Sequence, residues 1–314
     1  MNILVTGGAG FIGRWTVKKL LEDGNKVWIL DDLSNGSLDN IKEFDGHDSL
    51  MEFVEGDIKD RSILDRLFEN KLDICYHLAA SINVQDSIDD PRETFENDVS
   101  GTFNVLEQCR KHNVKMLFMS TCMVYDRADN EKGINELHPL KPASPYAGSK
   151  IAGENLVLSY WHAYKLPVVV IRPFNTYGPF QKSSGEGGVI AIFIKSHIEG
   201  KALNIYGNGN QTRDFLYVED CADFIVRTGY SDKADGQIIN AGTGEDITIN
   251  DLALKIVKDK SKIDHVTHIH PQSEIQKLLC DSEKACSLLS WRPKTDIAEG
   301  IAKTEKWIMD TYYK

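Results

Sequence analysis

The stretch that decides the fold lies at residues 3–13 and reads ILVTGGAGFIG. Its first four residues form a short apolar run that predicts a buried strand, and helical periodicity follows at residues 14–23. Glycines at positions 7, 10 and 13 permit a tight turn, close approach of the backbone to a pyrophosphate, and close packing of helix on strand. The N-terminus of the helix adds N–H groups and the positive end of the helix dipole. We therefore predict a phosphate-binding turn that holds a dinucleotide.

Outward from this turn, short β-rich runs alternate with helical patterns. Strands are predicted at residues 26–31, 52–55, 74–78, 116–120 and 167–172, and helices at 60–70, 93–112 and 145–164. Such βαβ alternation predicts an α/β fold, a Rossmann-type doubly wound parallel sheet with right-handed crossovers. Ligands are expected at the carboxyl edge of the sheet, at its topological switch point.

Composition changes after Pro173, where Gly, Asn and Gln become more frequent. Residues 174–188 are predicted to form a loop into a smaller, discontinuous C-terminal lobe that binds substrate. A helix at 221–229 and a strand at 237–239 are expected to return to the main sheet. The predicted division is a dinucleotide-binding domain at 1–173 plus about 217–242, and a lobe at 174–216 and 243–314.

Charge and cysteine usage exclude several classes of function. The 314 residues carry 36 Lys and Arg against 47 Asp and Glu, a net charge of −11 without a basic patch, so no nucleic acid or membrane is expected as a partner. Six cysteines without a C-x-x-C pair predict the reduced thiols of a cytoplasmic protein. The first residues enter the strand pattern at once, so no secretion signal is expected. No apolar run reaches the roughly 18 residues of a membrane span.

An acidic residue in the second strand predicts which dinucleotide binds. Asp31 ends that strand, 18 residues beyond Gly13. A carboxylate there accepts hydrogen bonds from the adenosine ribose and repels a 2′-phosphate, so NAD is predicted rather than NADP. Asp57 follows the third strand and is placed to bond the adenine amine. The small residues at 78–80 let the backbone lie against the cofactor.

A tyrosine and a lysine predict the chemistry. Tyr146 and Lys150 are four residues apart and share one face of a predicted helix. An ammonium beside a phenol stabilises the phenolate and lowers its pKa from about 10, which predicts Tyr146 as a general base. Thr121 ends the fifth strand at the carboxyl edge, where its hydroxyl can hold a substrate oxygen. We predict these three as the catalytic residues.

Several motifs lie along nearly the whole chain: TGGAGFIG at 6–13, LDDLSNG at 30–36, HLAA at 77–80, YAGSK at 146–150, RPFNTYGP at 172–179 and QTRDF at 211–215. Together they resemble the extended short-chain dehydrogenase/reductase superfamily, specifically its NAD-dependent nucleotide-sugar epimerases and dehydratases, and most of all UDP-glucose 4-epimerase-type enzymes. The resemblance implies an enzyme that oxidises a nucleotide sugar at C4. It also implies a homodimer in which the helices at 93–112 and 145–164 of both subunits form a four-helix bundle.

The resemblance assigns roles to the matching positions. Thr121 would bond the sugar O4, Tyr146 would be the base, and Lys150 would hold the nicotinamide ribose. The cofactor-binding residues predicted from the turn and the resemblance are Gly7, Gly10, Phe11, Ile12, Gly13, Asp31, Asp32, Ser34, Asn35, Gly36, Asp57, Ile58, Leu78, Ala79, Ala80, Tyr146, Lys150 and Pro173. The substrate-binding residues implied by the resemblance are Thr121, Cys122, Met123, Asn175, Val189, Asn204, Tyr206 and Arg213.

The residues after Thr121 bear on the second step of the reaction. In the family, 4,6-dehydratases typically carry Asp-Glu at these two positions, and UDP-glucuronate decarboxylases carry a Glu at the second. This chain has Cys122 and Met123, and Met cannot transfer a proton. We therefore predict a 4-epimerase that works through a transient 4-keto sugar. A dehydratase that uses Cys122, a decarboxylase or 4-keto-sugar reductase, and a non-catalytic dinucleotide-binding sensor remain alternatives.

Two positions depart from the family pattern. Asp98 stands where the family often has Asn, before the V-x-G-T motif. An Arg that contacts the diphosphate is missing near Pro271, three residues before Glu274, and Lys277 and Gln276 are the candidates to replace it.

The histidines are interpreted as structural. His77 lies on an apolar predicted strand. His265, His268 and His270 alternate on another predicted strand, but no acid or cysteine is spaced to complete a zinc site, so no metal is predicted.

Overall fold

The structure, a computed structural model, describes residues 1–128, 132–183, 188–268 and 271–313. Within these ranges the strands are β1 Asn2–Thr6, β2 Lys26–Asp31, β3 Leu50–Glu55, β4 Ile74–His77, β5 Lys115–Met119, β6 Val168–Pro173, β7 Asn175–Tyr177, β8 Leu203–Tyr206, β9 Thr212–Tyr217, β10 Ile238–Ala241, β11 Asp246–Thr248, β12 Ile263–Val266 and β13 Lys277–Leu278. The helices are α1 Phe11–Glu22, α2 Arg61–Phe68, α3 Val84–Asp89, α4 Pro91–Phe95, α5 Thr102–His112, α6 Pro145–Tyr164, α7 Val189–Ile198, α8 Val218–Tyr230, α9 Ile249–Val257, α10 Glu283–Leu289 and α11 Ile297–Tyr312.

The main sheet has seven parallel strands in the order β3-β2-β1-β4-β5-β6-β10. Both faces are covered by helices, because successive residues of a strand point to opposite faces. On β1, Ile3 and Val5 pack in one core with α1 and α8, whereas Leu4 packs in the other with α2, α5 and α6. The predicted Rossmann-type α/β fold is confirmed, and its switch point lies between β1 and β4.

The helix predicted as continuous at 93–112 is interrupted. The chain forms α4, then a π-helical segment at Glu96–Gly101, then α5. The apolar pattern over 93–112 does not reveal the wider turn, because a π-turn is a single-turn insertion inside an otherwise α-helical run. Gly101 makes room here, since a Cβ at this position would lie 2.6 Å from Cδ1 of Ile58. The interruption matters because it carries Asp98.

The C-terminal lobe is built from short strands. The strands β7, β11 and β13 all pair with β9, and β8 pairs with β12. The prediction of a loop at 174–188 is wrong in part, because residues 175–177 form the strand β7, which is too short to show an alternating pattern in the sequence. Residues 184–187 lie outside the described ranges. The strand predicted at 237–239 is confirmed as β10, which pairs with β6 of the main sheet. The exact division into two domains stays a prediction.

The histidine-bearing strand is shorter than predicted. Only His265 lies in β12; His268 follows it, and His270 lies outside the described residues. All six cysteines are free thiols. Among the helices of the described ranges, none is both long and apolar enough to cross a membrane.

Candidate active site

The glycine turn is shaped for a phosphate. Gly7 has φ +72°, and a Cβ there would lie 2.7 Å from the Ala79 nitrogen, so the turn lies against the chain that leaves β4. Gly13 packs even more closely, on the Gly7 carbonyl. Gly10 caps α1 without a side-chain hydrogen bond, and the first turn contains no acidic residue. The first N–H groups of α1, which no intrahelical carbonyl reaches, are therefore directed toward an anion, as pyrophosphate binding requires.

Asp31 joins the end of β2 to this turn. Its Oδ2 accepts the N–H of Ala9 and its Oδ1 accepts the N–H of Leu33, both at 2.9 Å. Burial raises the pKa of the carboxyl, and the two backbone N–H donors oppose that shift. Gly36 lies close by, since a Cβ there would be 2.8 Å from Oδ1. A carboxylate offers about four acceptor sites, so Asp31 retains capacity for the ribose hydroxyls.

The loop after Asp31 is held by its own side chains. Oδ1 of Asp32 accepts two hydrogen bonds from Ser34, one from its N–H at 3.0 Å and one from its hydroxyl at 2.6 Å. Oδ1 of Asn35 accepts a hydrogen bond from Nζ of Lys182 at 2.6 Å. The structure thus places three predicted cofactor residues beside the turn, and it ties one of them to the segment that leads into the C-terminal lobe.

The remaining cofactor positions lie at the same edge of the sheet. Oδ1 of Asp57 accepts the N–H of Lys59 at 2.7 Å, and Ile58 is buried. Residues 78–80 continue β4, with the Leu78 N–H donating to the carbonyl of Thr6 at 3.1 Å. Pro173 ends β6 and is buried. The residues fit NAD in the positions that the sequence predicts, and their individual contacts with it stay predictions.

The three predicted catalytic residues come together. Ser144 caps α6 by accepting the N–H of Ala147 at 3.2 Å, which places Tyr146 in the first turn and Lys150 one turn later. Both side chains are buried. Thr121 follows β5, and its hydroxyl lies close enough to the phenol of Tyr146 to lower the pKa of that phenol, against the larger effect of burial. The cluster lies at the carboxyl edge of the sheet, where this fold binds ligands.

The expected effect of Lys150 on Tyr146 is wrong for this structure. Burial raises the pKa of the Tyr146 phenol, and the charge of Asp98 raises it further. Nζ of Lys150 donates instead to the carbonyl of Met119 at 3.2 Å and lies 5.9 Å from the centre of the Tyr146 ring. Burial also lowers the pKa of Lys150, with Asp98 and Glu154 opposing that shift.

A buried ion pair supports the cluster and was missed from the sequence. Arg172 binds both oxygens of Glu154, at 2.7 Å through Nε and 2.5 Å through Nη2. The hydroxyl of Ser120 donates to Oε1 of Glu154 at 2.5 Å, and Nη1 of Arg172 donates to the Tyr125 hydroxyl at 2.7 Å. An arginine inside an apolar strand was the available signal, because charged side chains are almost never fully buried without a partner.

The side chains after Thr121 lack a carboxylate. Cys122 is buried, and burial raises the pKa of its thiol to about 12, so the thiol stays protonated at neutral pH. Met123 is half-buried and donates its N–H to the Thr121 hydroxyl at 3.2 Å.

His77 makes the contacts of a structural histidine, since its ring is hydrogen-bonded to Thr6 and Thr102. Burial lowers its pKa to about 3.

The predicted substrate-binding residue Arg213 is already paired. Its Nη1 donates to the carbonyls of Thr212 and Ile275 at 2.7 Å each, and its Nη2 pairs with Glu274. Glu274 also bonds Nε2 of His268 at 2.7 Å. A diphosphate that binds Arg213 therefore has to compete with a carboxylate.

The other predicted substrate residues lie on β7, at the start of α7 and on β8. Oδ1 of Asn175 is buried and has no hydrogen-bond partner. Val189 begins α7, whose N-terminus has no side-chain cap. Asn204 and Tyr206 project from the exposed face of β8, and the Tyr206 ring lies 6.0 Å from that of His268. An unpaired acceptor and an uncapped helix end fit a polar, phosphate-bearing ligand.

Lys277 and Gln276, the two candidates to replace the missing Arg, both have other partners. Nζ of Lys277 lies 4.0 Å from Asp246, and Gln276 uses its carbonyl to accept the N–H of Thr212 at 3.0 Å. Among the described residues, no three His, Cys, Asp or Glu side chains are grouped as metal ligands. His265 is hydrogen-bonded to Asn250 at 2.9 Å.

Comparison with known proteins agrees with this geometry. The GDP-mannose 4,6 dehydratase family model matches residues 4–304. UDP-glucose 4-epimerase of Mycolicibacterium smegmatis is 37% identical over 308 residues, covering 97% of both chains. The crystal structure of Pal from Bacillus thuringiensis superposes with a TM-score of 0.97 at 67% identity, covering 99% of both chains. UDP-glucose 4-epimerase of Thermus thermophilus, solved in complex with NAD, superposes with a TM-score of 0.90 at 32% identity, covering 99% of this chain and 100% of that one. The chain therefore belongs to the NAD-dependent nucleotide-sugar epimerase and dehydratase family of short-chain dehydrogenase/reductase enzymes.

Proposed function

We propose that the chain is a nucleotide-sugar 4-epimerase that acts through a transient 4-keto sugar. Thr121 holds the 4-hydroxyl, and the phenolate of Tyr146 takes its proton while a hydride leaves C4. NAD, when bound, supplies the acceptor for that hydride. The keto-sugar then presents its other face, the hydride returns to C4, and Tyr146 gives the proton back. The burial of Thr121, Tyr146 and Lys150 at the carboxyl edge of the sheet supports this first oxidation, for which Tyr146 has to lose its proton against a raised pKa.

The two residues after Thr121 favour epimerisation over dehydration as the second step. Removal of a C5 proton and loss of the 6-hydroxyl require a base and an acid. Cys122 is held as a neutral thiol and Met123 has no proton to transfer, so neither position provides a carboxylic acid pair. Epimerisation needs only the groups that the first oxidation already uses.

A second candidate is chemistry at C5 and C6 in which the Cys122 thiol is the acid. The thiol follows Thr121 in the chain and stays protonated at neutral pH, which supports a role as proton donor to a sugar held by Thr121. The match to a family model named for a 4,6 dehydratase is consistent with this candidate.

Product analysis in D₂O distinguishes 4-epimerisation from chemistry at C5 and C6. Purified protein would be incubated with UDP-, dTDP-, CDP- and GDP-sugars and the products read by NMR. We expect a 4-epimer without deuterium on any carbon, because the hydride never exchanges with solvent. A 4-keto-6-deoxy product with deuterium at C5, or release of carbon dioxide, would refute epimerisation.

We also propose that the chain acts as a homodimer. The segments expected to pair between subunits carry exposed aromatic side chains: Phe95 on α4 is 55% exposed, Phe103 on α5 39%, and Tyr164 on α6 57%. Light scattering across a range of concentrations should give the mass of a dimer, and Phe103→Glu should weaken it. A monomer at all concentrations would contradict this proposal.

A further inference from the structure

We propose that Asp98 is a positioning residue for the first oxidation: its carboxylate is the buried counter-charge of Lys150, and it joins the helix that carries Tyr146 to the chain that follows β4. The inference rests on the proposed role of Tyr146 and Lys150. It does not depend on which second step follows, because every candidate reaction shares that oxidation.

The π-helical segment places Asp98 in the interior. The residue is 1% exposed, although it lies on a surface helix. Its carbonyl accepts the hydroxyl of Thr102 at 2.6 Å, and Thr102 is hydrogen-bonded to His77 of β4 at 2.9 Å. The backbone of the segment is thereby fixed to the central sheet. π-turns of this kind often occur at functional sites.

The carboxylate connects two sides of the cleft. Oδ1 accepts the N–H of Ser81 at 2.7 Å and the amide of Asn97 at 3.2 Å. Oδ2 accepts the hydroxyl of Ser149 at 3.1 Å. Ser81 follows the stretch predicted to lie along the cofactor, and Ser149 lies between Tyr146 and Lys150 on α6. An asparagine could keep this geometry, because its oxygen can accept from Ser81 and its amide can donate to Ser149.

An asparagine cannot keep the charge. The donors to Asp98 are all neutral groups, and Lys150 is the cation that favours its ionised form. Lys150 is 4% exposed and donates to a neutral carbonyl, so its ammonium needs a counter-charge in the interior. Glu154, the other acid that stabilises it, is bound through both oxygens to Arg172. Asp98, whose Oδ2 accepts the hydroxyl of Ser149 next to Lys150 in the chain, is therefore the acid whose charge remains to act on Lys150.

The same carboxylate also acts on the base. Its charge raises the pKa of Tyr146 as well as that of Lys150. The titratable groups that face this region from the neighbouring elements are Tyr146, Lys150 and Glu154 on α6, His77 on β4 and Cys122 after β5. His77 and Cys122 are both neutral at pH 7, since their pKa values are about 3 and about 12. Neither can replace the charge of Asp98.

The pH profile of kcat for Asp98→Asn tests the proposal. Activity requires deprotonated Tyr146 and protonated Lys150, so the pKa values of this pair together set the two limbs of the profile. Loss of the Asp98 charge lowers both pKa values, so both limbs should move to lower pH by about one unit or more. Ser149→Ala is the matched control: it removes a hydrogen bond to Asp98 and keeps the charge, so its limbs should stay in place. A loss of kcat without movement of either limb would overturn the proposal.

A second measurement is independent of turnover. In protein labelled with ¹³C-lysine, the Lys150 signal, assigned by its disappearance in Lys150→Met, should titrate at lower pH in Asp98→Asn than in the wild type. An unchanged Lys150 pKa contradicts the inference, whereas a failure to find any sugar product contradicts the proposed function alone. If Asp98→Asn does not fold, Asp98→Glu keeps the charge and should retain the wild-type limbs; displaced limbs there would contradict the proposal.

Discussion

The cofactor half and the substrate half of the cleft hold their charged groups in different ways. In the cofactor half, Asp31 is fixed by main-chain N–H groups of its own strand-turn unit. In the substrate half, Arg213 is bound to Glu274, a side chain 61 residues away, which a ligand has to displace. The cofactor site is therefore ready for its ligand, whereas the substrate site has to exchange one ionic contact for another.

Tyr146→Phe should have the largest effect, because both halves meet at this phenol. Removal of a general base typically costs about 10²–10⁴ in rate. We expect turnover to be lost while NAD binding, followed by nicotinamide fluorescence, is largely retained. Tyr312→Phe is the control, on α11, where the side chain is 58% exposed, and it should retain full activity. Full activity of the Tyr146 variant would show that another group is the base.

Gly7→Ala should disable the cofactor half alone. The new Cβ would lie 2.7 Å from Ala79, and φ +72° disfavours any side chain, so the turn has to move away from the cofactor. We expect NAD affinity to fall by roughly tenfold or more. Gly24→Ala has a similar φ, +77°, but no atom within 4 Å of the new Cβ, so it should cost only about 1–2 kcal/mol of stability and leave NAD affinity unchanged. Equal NAD affinity in both variants would contradict the assignment of the turn.

Two variants test the contact between Arg213 and Glu274 in the substrate half of the cleft. Arg213→Gln should raise KM for the nucleotide sugar by about tenfold or more, since charged hydrogen bonds contribute roughly 1.5–3 kcal/mol. Glu274→Gln removes the negative charge that competes with the diphosphate for Arg213. It should therefore lower KM, by a smaller factor than Arg213→Gln raises it. Initial rates at saturating NAD provide the measurement, with Glu283→Gln, an exposed partner of Arg292, as control. Unchanged KM in both variants would exclude Arg213 from the diphosphate site.

Asp31→Asn should have the smallest effect, a change of cofactor preference. The neutral amide no longer repels a 2′-phosphate, so the ratio of NAD to NADP affinity should fall. Titration of both dinucleotides by fluorescence measures this ratio. A strict preference for NAD that survives the substitution would show that another group excludes the phosphate.

The difference between the halves also explains what the sequence could predict. The turn at residues 7–13, Asp31 and the pair Tyr146 and Lys150 are local patterns, so spacing alone placed them. The π-turn at Asp98 and the Arg213–Glu274 contact depend on how distant segments pack, which no local period records. The rise in the pKa of Tyr146 escaped prediction for the same reason, because burial is a property of the folded chain.

The most direct test uses a nucleotide sugar that carries deuterium at C4. We expect a primary isotope effect on transient NAD reduction, followed at 340 nm, and recovery of the deuterium at C4 of the epimerised product. Deuterium recovered at another carbon, or no isotope effect on a reaction that nonetheless proceeds, would contradict oxidation and return at C4.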